Sequence, residues 1–407
     1  MAVAVTVPFE DLAAGLGDRL CREAIWHEDR CTWLGDDVDV PRGAGAVVHR
    51  SVGPDLYNGT AGIGWLLAHL GRRTGRPEHR RAAAGALRHA LSRWDEAPAG
   101  LYTGRAGISL AAVAGGRVLG DEGLVAAGEA RAAEVAPEPG EADLIGGAAG
   151  TVVALLALGR GAEAAEAGEL LLGAAVRSDT GWWWPSPPPA TEPPLCGMGH
   201  GASGIGLALL ELASATADDR YREAGLAAFA YERGWFNRDA GGWPDLRELD
   251  WSRLHLGDGP QYPAFWCHGG PGIGVARLRG YSLTADLVCL AEAAAAIDTA
   301  TAGALRAGPG GHQVNLSLCH GAGSVIELHL LAAEVTGDDE HLAMARRLGE
   351  LGLRGLDPRL ARDVPCGVPG GGETPGLLLG LAGVAATLLR LADPSALPSP
   401  LLVGAWL

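Results

Sequence analysis

HGASGIGLALLELA, residues 200–213, joins a Gly-x-x-Gly turn to an unbroken run of alanine and leucine. The same pattern returns along the chain as NGTAGIGWLLAHL from Asn58, TGRAGISLAAV from Thr103 and GGAAGTVVALLAL from Gly146. It continues as HGGPGIGVARL from His268, HGAGSVIELHLLA from His320 and LGLAGVAATLLRLA from Leu379, with Ser324 in place of the second glycine in the sixth copy. The first glycines stand at 59, 104, 147, 201, 269, 321 and 380, so successive copies are 45, 43, 54, 68, 52 and 59 residues apart. Each interval has room for two helices and their connections. The runs that follow the turns lack β-branched alternation and favour helix. Segments between them, such as REAGLAAFAYERG from Arg222 and ADLVCLAEAAAAID from Ala285, read as amphipathic helices with a charged face. The pattern predicts an all-α, α/α toroid of seven inner and seven outer helices, one domain over residues 1–407. Glycine at the inner N-termini lets neighbouring turns approach and is expected to leave backbone N–H groups facing a central cavity. Every motif then faces one end of the ring, so residues from distant copies share one cavity.

Composition narrows the classes of function. The net charge is −16, and the 32 cationic residues are all arginine with no basic stripe, which argues against a nucleic-acid partner. No uninterrupted apolar stretch of about 20 residues is visible, so no membrane span is expected. The start, MAVAVTVPFEDLAAG, has neither a basic opening nor a cleavage site, so export is not expected and the reading is cytoplasmic. Seven cysteines in such a chain favour free thiols or metal ligands over disulfides.

Two connectors rich in proline and tryptophan interrupt the repeat, TGWWWPSPPPATEPPLCGMGH at 180–200 and the segment 237–269 before the fifth motif. Long irregular segments in a compact protein are usually functional. Trp182, Trp183, Trp184 and Trp243 are read as lids or walls over the cavity mouth.

Chemistry concentrates at two of the turns. WCHGGPGIG (266–274) and LCHGAGS (318–324) each carry a cysteine at the mouth of a glycine turn. Cys267, Cys319 and His320 form a thiolate and imidazole set suited to zinc. Three protein ligands leave one position open, the ligand count of a catalytic centre, and the paired CxxC knuckles of structural zinc sites are absent.

These residues resemble the lanthionine synthetase C-like cyclases, from YNGTAGIG at 57 to GGGETPGLLLGLAGV at 370–384, most specifically in WCHGGPGI, LCHG and the GHGASGIG block. The resemblance implies an α/α toroid holding one zinc ion through Cys267, Cys319 and His320. It implies an activity, too: addition of peptide cysteine thiols to dehydroalanine or dehydrobutyrine, giving the thioether rings of lanthipeptides. The partner is then a dehydrated precursor peptide, with a separate dehydratase to prepare it. By the same resemblance His200 matches an active-site histidine and Asp143, in DLIGGAAG, the acidic residue of that motif. The chain departs from the pattern at Pro263, where some members carry an arginine four residues ahead of the first zinc cysteine, and at His268, where some carry tyrosine.

The residue types suit this chemistry. A free thiol, with a pKa near 8.5, is mostly protonated at neutral pH, and a metal deprotonates and holds it. Attack on the β-carbon builds an enolate that must be protonated at the α-carbon, a task for histidine. His268 is read as the proton donor, with His200 assisting thiol deprotonation or enolate orientation and Asp143 holding the His200 tautomer. Arg105 and Arg253 are the candidates for the charge missing at Pro263. Each assignment has a plainer rival: helix capping for His200 and Asp143, a purely structural role for His268, and buried free thiols with a packing histidine for the metal set. Cys366 is read as a buried thiol, not a fourth ligand, and the nine histidines outside the site as surface or helix-face residues. Two rival functions are a zinc thiol-transferase adding a small thiol such as glutathione to dehydrated residues, and a non-catalytic scaffold that recruits a leader peptide. A protein prenyltransferase subunit pairs a similar barrel with zinc, but no basic cluster for a diphosphate is present.

Overall fold

The computed structural model describes residues 9–39, 46–185, 193–248, 260–306, 315–354, 364–369 and 372–407. Over these residues the chain forms an α/α toroid. The inner ring is α2 (Thr60–Thr74), α4 (Arg105–Leu119), α6 (Ala148–Ala157), α8 (Ala202–Thr216), α10 (Gly270–Thr284), α12 (Ala322–Thr336) and α14 (Leu381–Ala392). Outside them pack α3 (Pro77–Ser92), α5 (Glu122–Ala132), α7 (Gly161–Ala174), α9 (Asp219–Arg233), α11 (Leu287–Arg306) and α13 (Asp339–Gly352), each against the inner helix before it. The seventh outer helix comes from the other end of the chain: α1 (Phe9–Glu23) packs on α14, and α14 also meets α2. The N-terminal helix thus completes the last repeat and closes the ring.

Side-chain caps occur on three outer helices and on none of the inner ones. Outer helices α5, α9 and α13 open on Asp121, Asp218 and Asp338, whose carboxylates accept a first-turn N–H. The inner helices open on the seven repeated glycines, without side-chain caps. In α2, α4, α6, α8, α12 and α14 the first N–H group is met instead by a carbonyl seven residues upstream, as in Thr60 to Gly53 (2.9 Å), Arg105 to Pro98 (2.7 Å), Ala148 to Glu141 (2.9 Å) and Leu381 to Thr374 (2.8 Å). For these six helices the expectation that the donors face the cavity is corrected, because the turn folds back and consumes its own helix's first orphan N–H groups. The second glycine of the motif is required by that fold-back: a Cβ on Gly272 would stand 1.9 Å from the Trp266 carbonyl oxygen. In the sixth turn, with its Ser324, the close approach falls on Gly323, 2.4 Å from the Leu316 carbonyl oxygen.

The turns also bond to one another in a closed belt. Tyr57 N–H donates to Tyr102 (2.7 Å), Tyr102 to Ile145 (2.8 Å), Leu144 to Gly199 (3.1 Å) and Gly199 to Cys267 (3.1 Å). Trp266 donates to Cys319 (2.8 Å), Cys319 to Leu378 (2.9 Å), and Leu378 back to Tyr57 (2.7 Å). Main-chain hydrogen bonds thus run once around the ring through all seven turns.

Behind the belt the lumen is occupied from the far end. The chain after α14 turns inward, stacking Trp406 on Trp65 with ring centroids 4.0 Å apart and setting the Pro400 carbonyl 3.1 Å from the Tyr102 hydroxyl, which donates to it. A cavity of about 650 Å³ remains, lined by all seven inner helices and this C-terminal segment. None of the six candidate site residues lines it.

Three short hairpins decorate the ring: β1 (Ile25–His27) with β2 (Arg30–Thr32), β3 (Leu34–Asp39) with β4 (Ala46–Ser51), and β5 (Val176–Ser178) with β6 (Gly181–Trp183). The tryptophans expected as lids do other work. Trp184 is buried and donates to the Leu171 carbonyl of α7 (2.8 Å), Trp183 meets Tyr231 of α9, and Arg177 lies over Trp182. Trp243 is buried against Ile273 and Ala296. His69, His79 and His329, expected at surfaces or helix faces, are buried, while His255 and His312 lie outside the described residues. One helix, α11, is 20 residues long with mean hydropathy 1.4, enough by length and composition to cross a membrane. In the fold it is the outer partner of α10, with Cys289, Ala293, Ala296 and Ala300 buried and Glu292 paired with Arg277 at 2.5 Å.

Candidate metal centre and histidine pair

The belt brings the fifth and sixth turns together, and with them Cys267, Cys319 and His320. Their ligand atoms all lie within 4.8 Å of one another. Cys319 is fully buried and Cys267 nearly so. His320 Nδ1 lies 2.9 Å from the Gly367 carbonyl, which can only accept, so Nδ1 carries the proton and Nε2 is left as the ligand atom. Electrostatics favour a metal as well. Hydrogen bonding from Cys319 holds the Cys267 thiol well below its ordinary range against the opposing effect of burial, and His320 adds to the lowering. Burial pushes the Cys319 thiol up, and so does the neighbouring Cys267 sulfur. Burial works against the His320 imidazolium, but Cys267 outweighs it and raises the ring. A thiolate, a second thiol and a fixed imidazole within one ion's reach are a donor set that fits a metal.

Cys366 stands apart from this group. Its sulfur faces the Val364 and Thr374 carbonyls at 3.4 and 3.8 Å, and burial pushes its thiol up to about 11. Its neighbour Gly367 is the functional residue there, as the carbonyl that orients His320.

The third and fourth turns bring Asp143 and His200 together. Asp143 meets His200 as expected, and in place of capping a helix it closes the turn ahead of α6. Its Oδ1 accepts the N–H groups of Gly146 (2.8 Å) and Gly147 (3.0 Å), and its Oδ2 meets His200 Nδ1 at 2.5 Å. Burial opposes charge on His200, but the hydrogen bond and charge of Asp143 outweigh it and raise the imidazole, with the side chain 43% exposed at the mouth. The fourth turn comes very close to the fifth. A Cβ on Gly197, at φ +106°, would lie 2.5 Å from the Cys267 carbonyl oxygen, so glycine lets the loop carry His200 up to the metal ligand. The turn is held from below by Glu232 of α9, a fully buried carboxylate that accepts the N–H groups of Gly197 (2.7 Å) and Ser203 (2.9 Å) and pairs with the buried Arg277 (3.0 Å).

His268 stacks against His200 with ring centroids 5.6 Å apart and planes 25° apart. It is almost completely buried, its Nε2 has no partner among the described residues, and burial lowers it to about 4. It is therefore neutral at physiological pH, whereas His200 is the readily protonated member of the pair.

Of the two arginines named for the charge at Pro263, the one described is engaged elsewhere. Arg105 pairs with Glu138 at 2.5 Å and lies over Trp94, and Arg253 is outside the described residues. Among the described residues, Arg247 is a cation whose charge acts on His200, His268 and His320 alike. It follows Leu246, which packs on Leu195 and Cys196 just ahead of His200. Asp245, itself tied to the Gln261 carbonyl at 2.8 Å, grips Arg247 Nε and Nη2 at 3.0 and 2.7 Å. Sequence reasoning missed Arg247 because only the folded connector brings it to the mouth.

A ring of glycine-turn helix pairs with a two-thiol, one-imidazole centre at its belt defines a class, and the comparisons agree. The family model for "Lanthionine synthetase C-like protein" matches residues 50–402, and the chain belongs to that family. Among solved structures the chain is similar to "Nisin cyclase", with TM-score 0.61 and 16% identity over 87% of this chain and 93% of that one. It is also similar to the Lin0763 protein from Listeria innocua, with TM-score 0.51 and 12% identity over 96% of this chain and 98% of that one. At these identities the likeness is one of fold. No curated protein sequence matches the chain.

Proposed function

We propose that this protein is a zinc-dependent lanthipeptide cyclase, joining the cysteine thiols of a dehydrated precursor peptide to its dehydroalanine or dehydrobutyrine residues. The observation that carries this reading is the Cys267, Cys319 and His320 set, three soft ligands within 4.8 Å beside a protonatable histidine in a member of the lanthionine synthetase C-like family. Zinc held by those residues would supply the Lewis acidity that converts a substrate thiol to thiolate near neutral pH.

The reaction gains and loses no atoms. The peptide thiol gives up its proton to solvent, and a sulfur–carbon bond forms at the β-carbon. The alkene electron pair moves onto the amide as an enolate, and one proton arrives at the α-carbon. His200, raised by Asp143 and exposed at the mouth, is the better donor of that proton. His268, neutral and buried against it, packs on the His200 ring. These environments favour the reverse of the division of roles expected from sequence. Arg247 is the cation nearest to hand for the developing enolate, in place of the charge missing at Pro263. All seven cysteines are free thiols, which suits a reducing, cytoplasmic setting with a separate dehydratase supplying substrate.

The test joins metal and activity. Purified protein should contain about one zinc per chain, the stoichiometry of a single three-ligand site. Cys319→Ala should lose both the zinc and the ability to block free cysteine in a dehydrated peptide. His200→Asn should keep the zinc and slow ring closure by roughly 10²- to 10⁴-fold, the usual share of general acid catalysis. Full zinc occupancy in Cys267→Ala and Cys319→Ala would overturn the ligand assignment, and a wild-type rate in His200→Asn would return the acid role to His268.

A further inference from the structure

In the first and third turns a carboxylate four residues ahead of the motif's first glycine closes the turn. Asp55 accepts the Asn58 N–H (2.8 Å), and Asp143 accepts those of Gly146 and Gly147. In the fourth turn the same register is Gly197. No side chain fits there, because the backbone stands at φ +106° and a Cβ would lie 2.5 Å from the Cys267 carbonyl oxygen. The close approach that brings His200 to the metal-binding turn therefore removes the turn's own carboxylate. Glu232, from the outer helix α9, stands in for it. Its Oε1 accepts the N–H groups of Gly197 (2.7 Å) and Ser203 (2.9 Å), so it holds the chain on both sides of His200. Its Oε2 accepts the Ser203 hydroxyl and Arg277 Nη2 (3.0 Å). All four partners are donors, so the side chain is a carboxylate with no proton of its own. Arg277 carries the network to α10, the helix that opens just after Cys267 and His268. Fully buried, it donates through Nη1 to Ser203 Oγ (3.1 Å), through Nη2 to the Phe229 carbonyl (3.3 Å) and through Nε to Glu292 of α11 (2.5 Å). Helices α8 to α11 thus meet in one buried polar cluster behind the fourth and fifth turns.

We propose that Glu232 and Arg277 are positioning residues for His200: together they hold its turn in register with the Cys267 turn, from behind, where Gly197 cannot. For its kinetic consequence the proposal rests on the cyclase reading above. Desolvation offsets much of the attraction in a buried ion pair, so the pair's distinctive contribution here is geometry rather than stability. That geometry matters because a misplacement of about 1 Å can lower a rate on the order of 10²-fold. Neither side chain bonds to Cys267, Cys319 or His320, so the metal site itself does not depend on the pair.

Glu232→Gln tests this with little change of shape, because it turns one acceptor oxygen into a donor among four donors. The variant should keep its zinc and its KM for a dehydrated peptide while kcat for ring closure falls by roughly 10- to 100-fold. Position is read separately from activity. In protein with isotope-labelled histidine, the nuclear Overhauser cross-peak between the His200 and His268 rings, stacked at 5.6 Å, should weaken or vanish in the variant. Glu327→Gln is the matched control. It breaks another buried pair, Glu327 with Arg390 at 2.7 Å, whose partners lie on α14 and the C-terminal segment. It should lower the melting temperature as Glu232→Gln does, yet leave kcat and the cross-peak at wild-type values. Should Glu232→Gln fail to fold, Ser203→Ala removes only a hydroxyl bonded to both Glu232 and Arg277, and should show the same two losses in milder form. A wild-type cross-peak and kcat in the folded Glu232 variant, or in Ser203→Ala if that is the one that folds, would overturn the proposal. A cross-peak lost in the variant, with no ring closure by the wild type, would leave the positioning role standing and overturn the cyclase reading instead.

Discussion

Asp143 joins two structural jobs in one carboxylate, and its two oxygens divide them. Oδ1 closes the third turn through Gly146 and Gly147, and Oδ2 holds His200. Asparagine can keep the first job while removing the charge that supports the imidazolium. Because the folded His200 is raised above the ordinary histidine value of 6.5, its pairing stabilises the protein fully below that value. The stabilisation is lost as pH rises through the higher folded value. Urea unfolding of the wild type between pH 6 and 9 should therefore show a decline with rising pH that Asp143→Asn lacks. Parallel pH dependence in the two proteins would mean that Asp143 only caps the turn.

Among the helices, the glycine turns are the element that specifies the ring, and they make predictions of opposite sign. Gly272→Ala drives a Cβ to 1.9 Å from the Trp266 carbonyl and should cost about 1–3 kcal/mol or more, because backbone must move to relieve it. The C-terminal ends of α8 and α10 invite the reverse change. Both stop on alanine in the left-handed region, Ala217 at φ 56° and Ala285 at φ 55°, where α2, α4 and α12 stop on Gly75, Gly120 and Gly337. Ala217→Gly should relieve about 1 kcal/mol of strain, partly offset by the freer unfolded chain, and raise the melting temperature slightly. A lower melting temperature for Ala217→Gly, or an unchanged one for Gly272→Ala, would contradict this account of the turns. The element level was also the most legible from sequence. The seven Gly-x-x-Gly copies carried the helix count, the inner ring and the meeting of Cys267, Cys319 and His320. Residues that act across turns left no such mark. Gly367 serves His320 by a main-chain carbonyl, and Arg247 arrives on an irregular connector. No local periodicity encodes a contact of that kind.

At the scale of the molecule, the ring is closed twice, by α1 completing the last repeat and by the hydrogen-bonded belt through the seven turns. The C-terminal segment fills the lumen from the other end, with Trp406 stacked on Trp65 and Tyr102 bonded to Pro400. Tyr102 also meets Trp266 edge-on at 5.1 Å, so the plug and the first metal-binding turn share a contact. In the proposed function the His200 side of the belt is the working mouth and the plugged far side is structural. What the account claims above all is that an incoming peptide's own thiol is added to its dehydro-residue there. The direct measurement is mass spectrometry after thiol alkylation of a dehydrated, cysteine-containing peptide incubated with the zinc-loaded protein in excess glutathione. A peptide of unchanged mass that no longer takes up the alkylating reagent is the predicted result. A peptide heavier by one glutathione, or one still fully alkylated, would contradict it.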